Sequence, residues 1–250
     1  MAPVGFSKTG KKAFRFADVH CHVLYGVDDG SRSPEMSLSM LKQAAAEGVE
    51  AMILTPHFFA GRSAVTKESL REKVAGLTAL CREEGIAIEL CPGAELYYTE
   101  DADELLKNGD VPTLNGTNRL LVEFSTDILA VQILNAVKKI SLLGYVPVVA
   151  HVERYGSVIF APEKVEALRA QGAEIQVNVS TLAGSFGSRA KAAAETLLKK
   201  QLVDYLGTDA HDDRVRKVEV QKTIGRLMKK FDREYVEEIT YLNARTLIDA

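Results

Sequence analysis

The stretch FRFADVHCH, residues 14–22, joins a short β-rich run to two histidines at its end. We predict a strand over residues 14–19, followed at once by His20 and His22. Residues two apart on an extended chain point to the same side, so both imidazoles face one site. Six more β-rich runs follow, and the seven candidate strands lie at residues 14–19, 51–54, 86–90, 119–123, 146–150, 174–179 and 203–207.

The segments between these runs have apolar residues three and four apart, which is the spacing of helices packed on a sheet. Two such helices carry Leu70, Val74, Leu77 and Leu80, and Ile128, Val131, Leu134, Val137 and Leu142. Pro34 lies in a predicted first turn. Glycines end the helices that they follow, at Gly48, Gly85, Gly144 and Gly172. This alternation of strand and helix predicts an α/β fold with parallel strands.

The number of strand and helix units distinguishes two α/β architectures. Seven or eight units in 250 residues suit a closed barrel. A doubly wound sheet would favour a G-x-G-x-x-G motif after the first strand, and the sequence has none there. No linker or change of composition divides the chain. We therefore predict one domain over residues 1–250, with an extension over residues 1–13 and C-terminal helices over residues 215–250 that wrap the outside. A barrel has its active site at the carboxyl ends of the strands.

Composition and charge exclude several classes of protein. Hydrophobic residues make up 46% of the chain, which is enough to bury a core and excludes a disordered protein. Lys and Arg number 31 against 34 Asp and Glu, and the net charge of −3 gives no basic field for nucleic acid or an anionic membrane. No signal peptide and no apolar window of about 18 residues are evident, so we predict a cytoplasmic protein without membrane insertion.

The three cysteines, Cys21, Cys81 and Cys91, form no recognisable motif. They are odd in number, widely spaced and without a C-x-x-C pair, which argues against disulfides and a thiolate zinc site. A cysteine-dependent phosphatase needs an arginine six residues after its nucleophile. Positions 27, 87 and 97 instead hold valine, alanine and tyrosine. Thiol catalysis is therefore disfavoured.

All five histidines follow predicted strands by no more than a few residues, at His20, His22, His57, His151 and His211. Acidic residues occupy other strand ends, at Glu95, Glu123 and Asp209. A single histidine after a strand is more often a capped or solvent-facing side chain, but five of five are poorly explained in that way. Imidazole and carboxylate together, without thiolate, suit manganese, iron, zinc or cobalt, and magnesium is a further candidate. Eight such groups exceed the needs of one ion, so we predict two or three ions.

A ninth candidate ligand is the acid pair Asp28 and Asp29, in the sequence Val27-Asp28-Asp29-Gly30. The pair also fits a turn that leads into a helix cap. Adjacent residues rarely point the same way, so we expect one of the two to be a ligand and the other a bystander.

The ordered set of H-x-H, T-P-H, G-x-E, V-E-F, A-H-V-E-R and D-A-H, over residues 16 to 213, resembles the polymerase and histidinol phosphatase (PHP) superfamily. The details DVHCH, VDDG and HVERY resemble most closely the manganese-dependent protein-tyrosine phosphatases of bacterial capsule and exopolysaccharide loci. This resemblance implies a distorted (β/α)7 barrel, a trinuclear metal site and dephosphorylation of a partner bacterial tyrosine kinase. The extension before the first strand and the loops at 58–62 and 185–188 do not match with confidence.

The resemblance also implies a role for each matching residue. His20, His22, Glu95 and Asp209 would hold the first ion, Glu95, Glu123 and His151 the second, and His57, His211 and one of Asp28 and Asp29 the third. Arg154 would bind the phosphate, although a salt bridge to Glu153 is an alternative. Arg214 and Arg216 are candidates for a second anion contact, or else solvated charges. Five aromatic residues lie beside ligand positions and could either hold a phenyl ring or pack, namely Phe58, Phe59, Tyr97, Tyr98 and Tyr155.

The chemistry that this set favours is phosphomonoester hydrolysis by a metal-activated hydroxide that attacks phosphorus. Arg154 would clamp the phosphoryl oxygens, and the acid of Asp28 and Asp29 that is not a ligand could protonate the leaving group. The leading hypothesis is a metal-dependent protein-tyrosine phosphatase. A small-molecule phosphatase for histidinol phosphate is the alternative, while a nuclease module and a non-catalytic metal scaffold are less favoured. The sequence leaves the oligomeric state open.

Overall fold

A computed structural model describes residues 14–63, 65–161 and 163–250. The predicted extension over residues 1–13 lies outside the described residues. Within them the chain forms nine strands, β1 Phe16–Asp18, β2 Val49–Leu54, β3 His57–Phe59, β4 Glu89–Pro92, β5 Glu95–Tyr97, β6 Arg119–Glu123, β7 Val146–Val149, β8 Glu174–Asn178 and β9 Tyr205–Gly207. Strand and helix alternate, so the predicted α/β class is confirmed.

All strand pairs are parallel and form two sheets, in the orders β1-β2-β4 and β3-β5-β6-β7-β8-β9. An isolated parallel bridge between Cys21 and Ala210 links the chain just after β1 to the chain just after β9. The carboxyl ends of the strands therefore meet at one edge, as a barrel would arrange them. Closure into a seven-stranded barrel stays a prediction.

The described residues form nine strands where the sequence predicts seven, because the chain at two predicted strands continues, after a break of two residues, into a further strand. Two residues separate β2 from β3, and Gly93 and Ala94 separate β4 from β5. At the second break a Cβ on Gly93 would lie 2.7 Å from Ile53 Cγ2, so only glycine fits. Each break transfers the chain from the smaller sheet to the larger one. His57 and Glu95 stand directly after these breaks.

Most helices connect successive strands, and the last three follow β9. The helices are α1 Pro34–Ala46, α2 Lys67–Glu83, α3 Ala102–Asn108, α4 Ala130–Leu142, α5 Gly156–Ile159, α6 Lys164–Ala170, α7 Val179–Ala183, α8 Gly187–Lys199, α9 Gln221–Lys230, α10 Arg233–Glu237 and α11 Asn243–Ile248, with short 3₁₀ turns at Leu114–Gly116 and Val152–Arg154 and a π-helical segment at Glu238–Leu242. Pro34 begins α1 behind the Ser33 cap, and the four predicted end glycines have φ between 66° and 91°. Among the described residues, no helix is long and apolar enough to span a bilayer.

The predicted apolar face is right for α2 over most of its length and only partly right for α4, where Val137 is buried as expected. Leu70, Val74 and Leu77 of α2 are buried as expected. In α4 the side chains of Val131 and Leu142 are 58% and 78% exposed, and the buried face is instead formed by Ile133, Ala136, Val137 and Ile140. The apolar residues of this segment lie on two faces of the helix, and tertiary packing buries the face that carries Ile133 and Ile140.

The sequence predicts that the C-terminal segment wraps the outside as helices, but in the structure part of this segment is not helical and part of it joins the core. Residues 215–220 are not helical, and helices begin at Gln221. Tyr241, Ala244, Leu247 and Ile248 join a second core cluster together with small side chains of alternating strand positions, among them Ala17, Ala51 and Ala150. Alternating positions share one face of a strand. Because these positions carry alanine, they leave room for the larger C-terminal side chains.

Candidate metal centre

The carboxyl ends of the strands bring all five histidines and five carboxylates into one cluster. His57 and Glu95 begin β3 and β5 and are paired in register, and Glu123 ends β6. His151 and Asp209 each follow a strand by two residues. His20 and His22 follow β1, and their Nε2 atoms lie 3.3 Å apart. The predicted convergence of the H-x-H pair on one site is thus present.

Glu95 lies at the centre of this cluster and is fully buried. Its Oε1 is 3.2 Å from His20 Nε2 and 3.1 Å from His151 Nε2, and its Oε2 is 3.4 Å from His22 Nε2 and 3.0 Å from His57 Nδ1. Glu123 reaches the same region, 3.4 Å from His151 Nε2 and 3.6 Å from His57 Nδ1. One carboxylate therefore faces four imidazoles, as a ligand shared between ions would.

Three groups of side chains have candidate ligand atoms within 4.8 Å of one another. They are His22, Asp29, His57 and His211; His20, His22 and Glu95; and His57, Glu95 and Glu123. Asp209 adjoins the second group, because its Oδ1 is 3.5 Å from His22 Nε2 and 3.7 Å from His20 Nε2. The grouping follows the three sets that the resemblance implies, with two differences: His22 also joins the group of His57 and His211, and His57 rather than His151 completes the group of Glu95 and Glu123.

The hydrogen bonds of three histidines fix which ring nitrogen faces the cluster. His20 Nδ1 lies 3.0 Å from Gln176 Oε1, His22 Nδ1 2.7 Å from Asp28 Oδ2, and His211 Nδ1 3.0 Å from the carbonyl oxygen of Asp209. Each partner is an acceptor, so each Nδ1 carries the proton and donates it. The lone pair of Nε2 then faces the cluster, which is the tautomer of a metal ligand.

Asp28 and Asp29 have different positions. Asp28 is mostly buried and accepts hydrogen bonds from His22 Nδ1, the backbone N–H of His57 and that of Gly30. Burial raises the pKa of Asp28, but the bond from His22 and the backbone donors hold it below its usual range, so it is an acceptor and not a proton donor. Asp29 Oδ1 lies 3.6 Å from both His57 Nε2 and His211 Nε2. Asp29 is therefore the candidate ligand of the pair, and Asp28 is the residue that orients the His22 ring.

The unsatisfied polar atoms of the cluster test whether it fits metal ions. His57 Nδ1, Glu95 Oε2 and His211 Nε2 are buried and have no hydrogen bond of acceptable geometry in the described part of the chain, although the first two lie 3.0 Å apart. Buried polar atoms without partners are rare and costly. A cation would satisfy all three, and nitrogen and oxygen donors without sulfur fit manganese, iron, zinc or cobalt. The residues present therefore fit divalent ions.

The charges in the cluster point to the same conclusion. Burial raises the pKa of Glu95, but the imidazoles of His20, His151 and His22 hold it well below its usual range. Burial lowers the pKa of His151, but hydrogen bonds to Glu123 and Glu95 raise it to about 10. The carboxylates thus keep a proton on His151, which serves as their counterion. Metal binding displaces such protons, because a ligating imidazole is neutral.

Backbone strain is concentrated at the same strand ends. His151 has φ of 31° and Asp209 has φ of 52°, both in the left-handed region that L side chains rarely adopt. Such strain costs about 1–3 kcal/mol per residue and persists where the surrounding structure enforces it. Here it turns two ligand candidates away from the direction of their strands and towards the cluster.

Sequence reasoning missed the polar residues that support the cluster from β8. Gln176 Oε1 also accepts the backbone N–H of His151, Gln176 Nε2 donates to Asn178 Oδ1, and Asn178 Nδ2 donates to Asp209 Oδ2. Asp18 likewise accepts from the backbone N–H groups of His20 and Thr208. The available signal was an amide pair two residues apart inside an otherwise buried strand.

The three candidate arginines do not share one position. Arg154 Nη1 lies 3.3 Å from Asp209 Oδ2, and Arg216 Nη2 lies 2.9 Å from Asp209 Oδ1, so both reach the edge of the cluster. The alternative partner of Arg154, Glu153, is fully buried and accepts the backbone N–H of Asn178 instead. The side chain of Arg214 is 89% exposed and its Nε lies 3.8 Å from Asp213. The structure does not bring Arg214 to the cluster.

The cysteines and most of the candidate aromatics belong to the core. All three cysteines are free and buried, and burial raises the pKa of Cys21 well above its usual range and that of Cys91 to about 11, which disfavours thiolates. Phe58 and Tyr155 are buried, and Tyr98 donates to Asp103. Only two candidates remain partly exposed beside the cluster, Phe59 and Tyr97.

Known proteins are similar to this chain over nearly its whole length. Residues 16–249 match the family of capsular polysaccharide synthesis proteins CpsB/CapC. The tyrosine-protein phosphatase CpsB of Streptococcus pneumoniae is 30% identical over 236 residues, which cover 92% of this chain and 97% of that protein.

Two solved structures extend the comparison to the fold. One chain from the crystal structures of YwqE from Bacillus subtilis and CpsB from Streptococcus pneumoniae, unique metal-dependent tyrosine phosphatases, superposes with a TM-score of 0.86 at 29% identity and covers 93% of this chain and 94% of that one. A histidinol phosphate phosphatase from Lactococcus lactis shares the fold alone, with a TM-score of 0.53 at 15% identity over 94% of this chain and 93% of that one. The resemblance carried by the ordered motifs is thus confirmed. The chain belongs to the CpsB/CapC family of capsular polysaccharide synthesis proteins.

Proposed function

We propose that this chain is a metal-dependent tyrosine-protein phosphatase of capsule synthesis and that Mn²⁺ is its metal. The single observation that carries the proposal is the buried Glu95 carboxylate, which faces four imidazoles within 3.4 Å. The membership of a family whose relatives are tyrosine-protein phosphatases supports the same activity. Raised pKa values at the cysteines support a mechanism without a thiolate nucleophile.

Two or three ions would share the ligands of the cluster, with Glu95 common to two of them. The candidate ligands are His20, His22, Asp29, His57, Glu95, Glu123, His151, Asp209 and His211. Ions held there would supply an activated water and neutralise charge on a phosphate. Asp28, Gln176 and the carbonyl of Asp209 act as positioning groups, because they hold the imidazole rings in the ligating tautomer.

Arg154 and Arg216 stand on the rim of the cluster and serve the phosphate. Each guanidinium lies within 3.3 Å of Asp209, and the Arg154 side chain is 23% exposed, so it can reach an anion in the opening. Arginine is always charged and binds phosphoryl oxygens in a bidentate manner as charge spreads over them. Asp28 does not donate a proton, and a phenolate leaves without strong assistance.

The phenyl ring of a phosphotyrosine has a candidate site at the aromatic side chains next to His57. The rings of Phe59 and Tyr97 have centroids 5.4 Å apart, and the Phe59 ring lies 5.7 Å from that of His57. Arg62 covers the Phe59 ring at 5.2 Å and supports it. Aromatic pairs at such distances favour a further ring. This platform favours an aryl phosphate over an aliphatic one such as histidinol phosphate.

The natural substrate that we propose is a phosphotyrosine protein, and the partner is a bacterial tyrosine kinase. We also propose that the chain works in the cytoplasm, where its three free cysteines stay reduced. The proposal for the substrate and the partner follows from the resemblance of the ordered motifs to the capsule-locus phosphatases, and it does not depend on the ligand geometry.

A comparison of three substrates tests the function. We expect kcat/KM with Mn²⁺ to be highest for a phosphotyrosine peptide, lower for a phosphoserine peptide and lowest for histidinol phosphate. The Phe59→Leu variant should reduce the preference for the phosphotyrosine peptide, while Phe160→Leu, an exposed phenylalanine away from the cluster, should keep it. A preference for histidinol phosphate would replace the proposed function by that of a small-molecule phosphatase.

A further inference from the structure

A cavity of about 460 Å³ opens beside the metal centre and shares Asp209 and Arg154 with it. Its walls come from α7, the first turns of α9 and the segment that follows Asp209. Cavities of this size hold small ligands or a few side chains. Lys222, Thr223 and Arg226 also line the cavity, and none of them belongs to the groups that we assign to phosphate hydrolysis.

The lining of this cavity is strongly basic. Five cationic side chains line it, namely Arg154, Arg216, Lys217, Lys222 and Arg226. The carboxylates among its lining residues are Asp209, which Arg154 and Arg216 contact, and Glu219, whose Oε2 lies 3.6 Å from Lys217 Nζ. The chain as a whole has a net charge of −3, so this concentration of positive charge is local.

Two of these cations remain free to bind an anion. Among residues 14–63, 65–161 and 163–250, no carboxylate lies within 4.0 Å of the charged nitrogens of Lys222 or Arg226. Both side chains are exposed and four residues apart on α9, so they lie on the same face of the helix. Arg226 Nη2 donates to Thr223 Oγ1 at 3.0 Å, which holds the guanidinium against the helix. Thr223 itself is buried and lines the cavity.

We propose that this cavity binds acidic side chains of the peptide that carries the phosphotyrosine. The inference rests on the proposed function, because a phosphate bound at the metal centre places the flanking residues of its peptide at the rim formed by Arg154 and Arg216. The cavity continues from this rim, and Lys222 and Arg226 are the cations without a carboxylate partner along it. A carboxylate of the substrate would pair with them, whereas an amide of the same shape would not.

Matched peptides test the proposal. One peptide carries two glutamates on each side of a phosphotyrosine, and the other carries glutamines at the same positions. We expect wild-type protein with Mn²⁺ at low salt to have a kcat/KM about three- to tenfold higher for the glutamate peptide, the range of one or two exposed ion pairs. The preference should shrink at 0.5 M salt, because the charges are exposed and therefore screened.

Variants of α9 locate the preference. The double variant Lys222→Ala/Arg226→Ala should bring the ratio of the two kcat/KM values to about one, and Lys222→Glu/Arg226→Glu should invert it. The matched control is Arg82→Ala/Lys138→Ala, which removes one arginine and one lysine from exposed positions on α2 and α4 outside the cavity. This control should keep the wild-type ratio. Both kcat/KM values of a ratio are measured on the same preparation, so a loss of folded protein lowers both values equally and leaves the ratio unchanged.

Three results would overturn the inference. Equal kcat/KM values for both peptides with wild-type protein would overturn it and leave the proposed function intact. An equal loss of preference in the control would assign the effect to net charge and not to the cavity. Hydrolysis of neither peptide by the manganese-loaded protein would remove the proposed function and this inference together.

Discussion

The two ends of the strands differ in composition, packing and strain. At the carboxyl ends, buried histidines and carboxylates face one another, and two of these residues have left-handed backbone conformations. At inward positions nearer the amino ends, strand alanines pack against Tyr241, Leu247 and Ile248 of the C-terminal segment. The amino-end carboxylates Glu89 and Asp204 have arginine partners, Arg245 and Arg169. One end thus carries chemistry at the expense of stability, and the other end supplies stability.

The largest expected effect is at the centre of the carboxyl-end cluster. Glu95→Gln removes the charge of the carboxylate shared by four imidazoles. We expect a loss in kcat on the order of 10³-fold, about 4 kcal/mol, with fewer manganese ions per chain. The control is Glu89→Gln at the amino end of β4, which removes an exposed pair with Arg245. It should keep full metal content, and loss of metal in both variants would contradict the distinction between the ends.

The next effect is on ligand orientation. Asp28→Asn weakens the hydrogen bond that fixes the tautomer of His22, so we expect the manganese affinity to fall by about 10- to 100-fold. The measurement is the dependence of the hydrolysis rate on Mn²⁺ concentration. Asp204→Asn alters a half-buried carboxylate at the other end, which binds Arg169 and the backbone N–H of Ile175. This second variant should be less stable but require no more manganese, and the opposite pattern would assign Asp28 to structure alone.

A smaller effect separates two arginines on the same side of the molecule. Arg154→Ala should lose at least about tenfold in kcat/KM, or about 1.4 kcal/mol, because its guanidinium would contact the phosphate in the transition state. Arg214→Ala should change kcat/KM by less than about twofold, since its side chain is solvated. Equal losses in the two variants would mean that Arg154 acts only through the general positive charge of the rim.

The smallest effect on catalysis is expected at the amino end. Leu247→Ala removes a side chain that is 1% exposed and packs on strand residues. We expect the free energy of unfolding to fall by about 2–5 kcal/mol, measured by urea denaturation, with kcat per folded molecule unchanged. A lower kcat at saturating Mn²⁺ would show that the two ends are coupled.

The sequence predicts which residues converge at the carboxyl ends of the strands, because their residue types are rare and their positions are ordered. Each of the five histidines lies at a predicted strand end and enters the cluster. The choice between Asp28 and Asp29 needed coordinates, because it depends on which carboxylate reaches the backbone N–H of His57. Gln176 and Asn178 were missed because amides neither titrate nor rank among the preferred metal ligands, so their spacing in a buried strand was a weak signal.

Packing away from the site was predicted less well. In α4, apolar residues occupy two helical frames, so the sequence could not tell that Ile133 and Ile140 are buried while Val131 and Leu142 are exposed. The C-terminal helices were assigned to the outside because amphipathic spacing does not say which surface receives the apolar face. That surface depends on alanines at strand positions far away in sequence, such as Ala17 and Ala150.

The central claim is that the cluster around Glu95 binds divalent ions and that hydrolysis depends on them. The direct measurement is the metal content and the p-nitrophenyl phosphate activity of one preparation before chelation, after chelation and after addition of Mn²⁺, with circular dichroism to verify folding. We predict two or three ions per chain, a loss of activity of at least about a hundredfold on chelation and recovery with Mn²⁺. Full activity of folded protein that contains no metal would contradict the account.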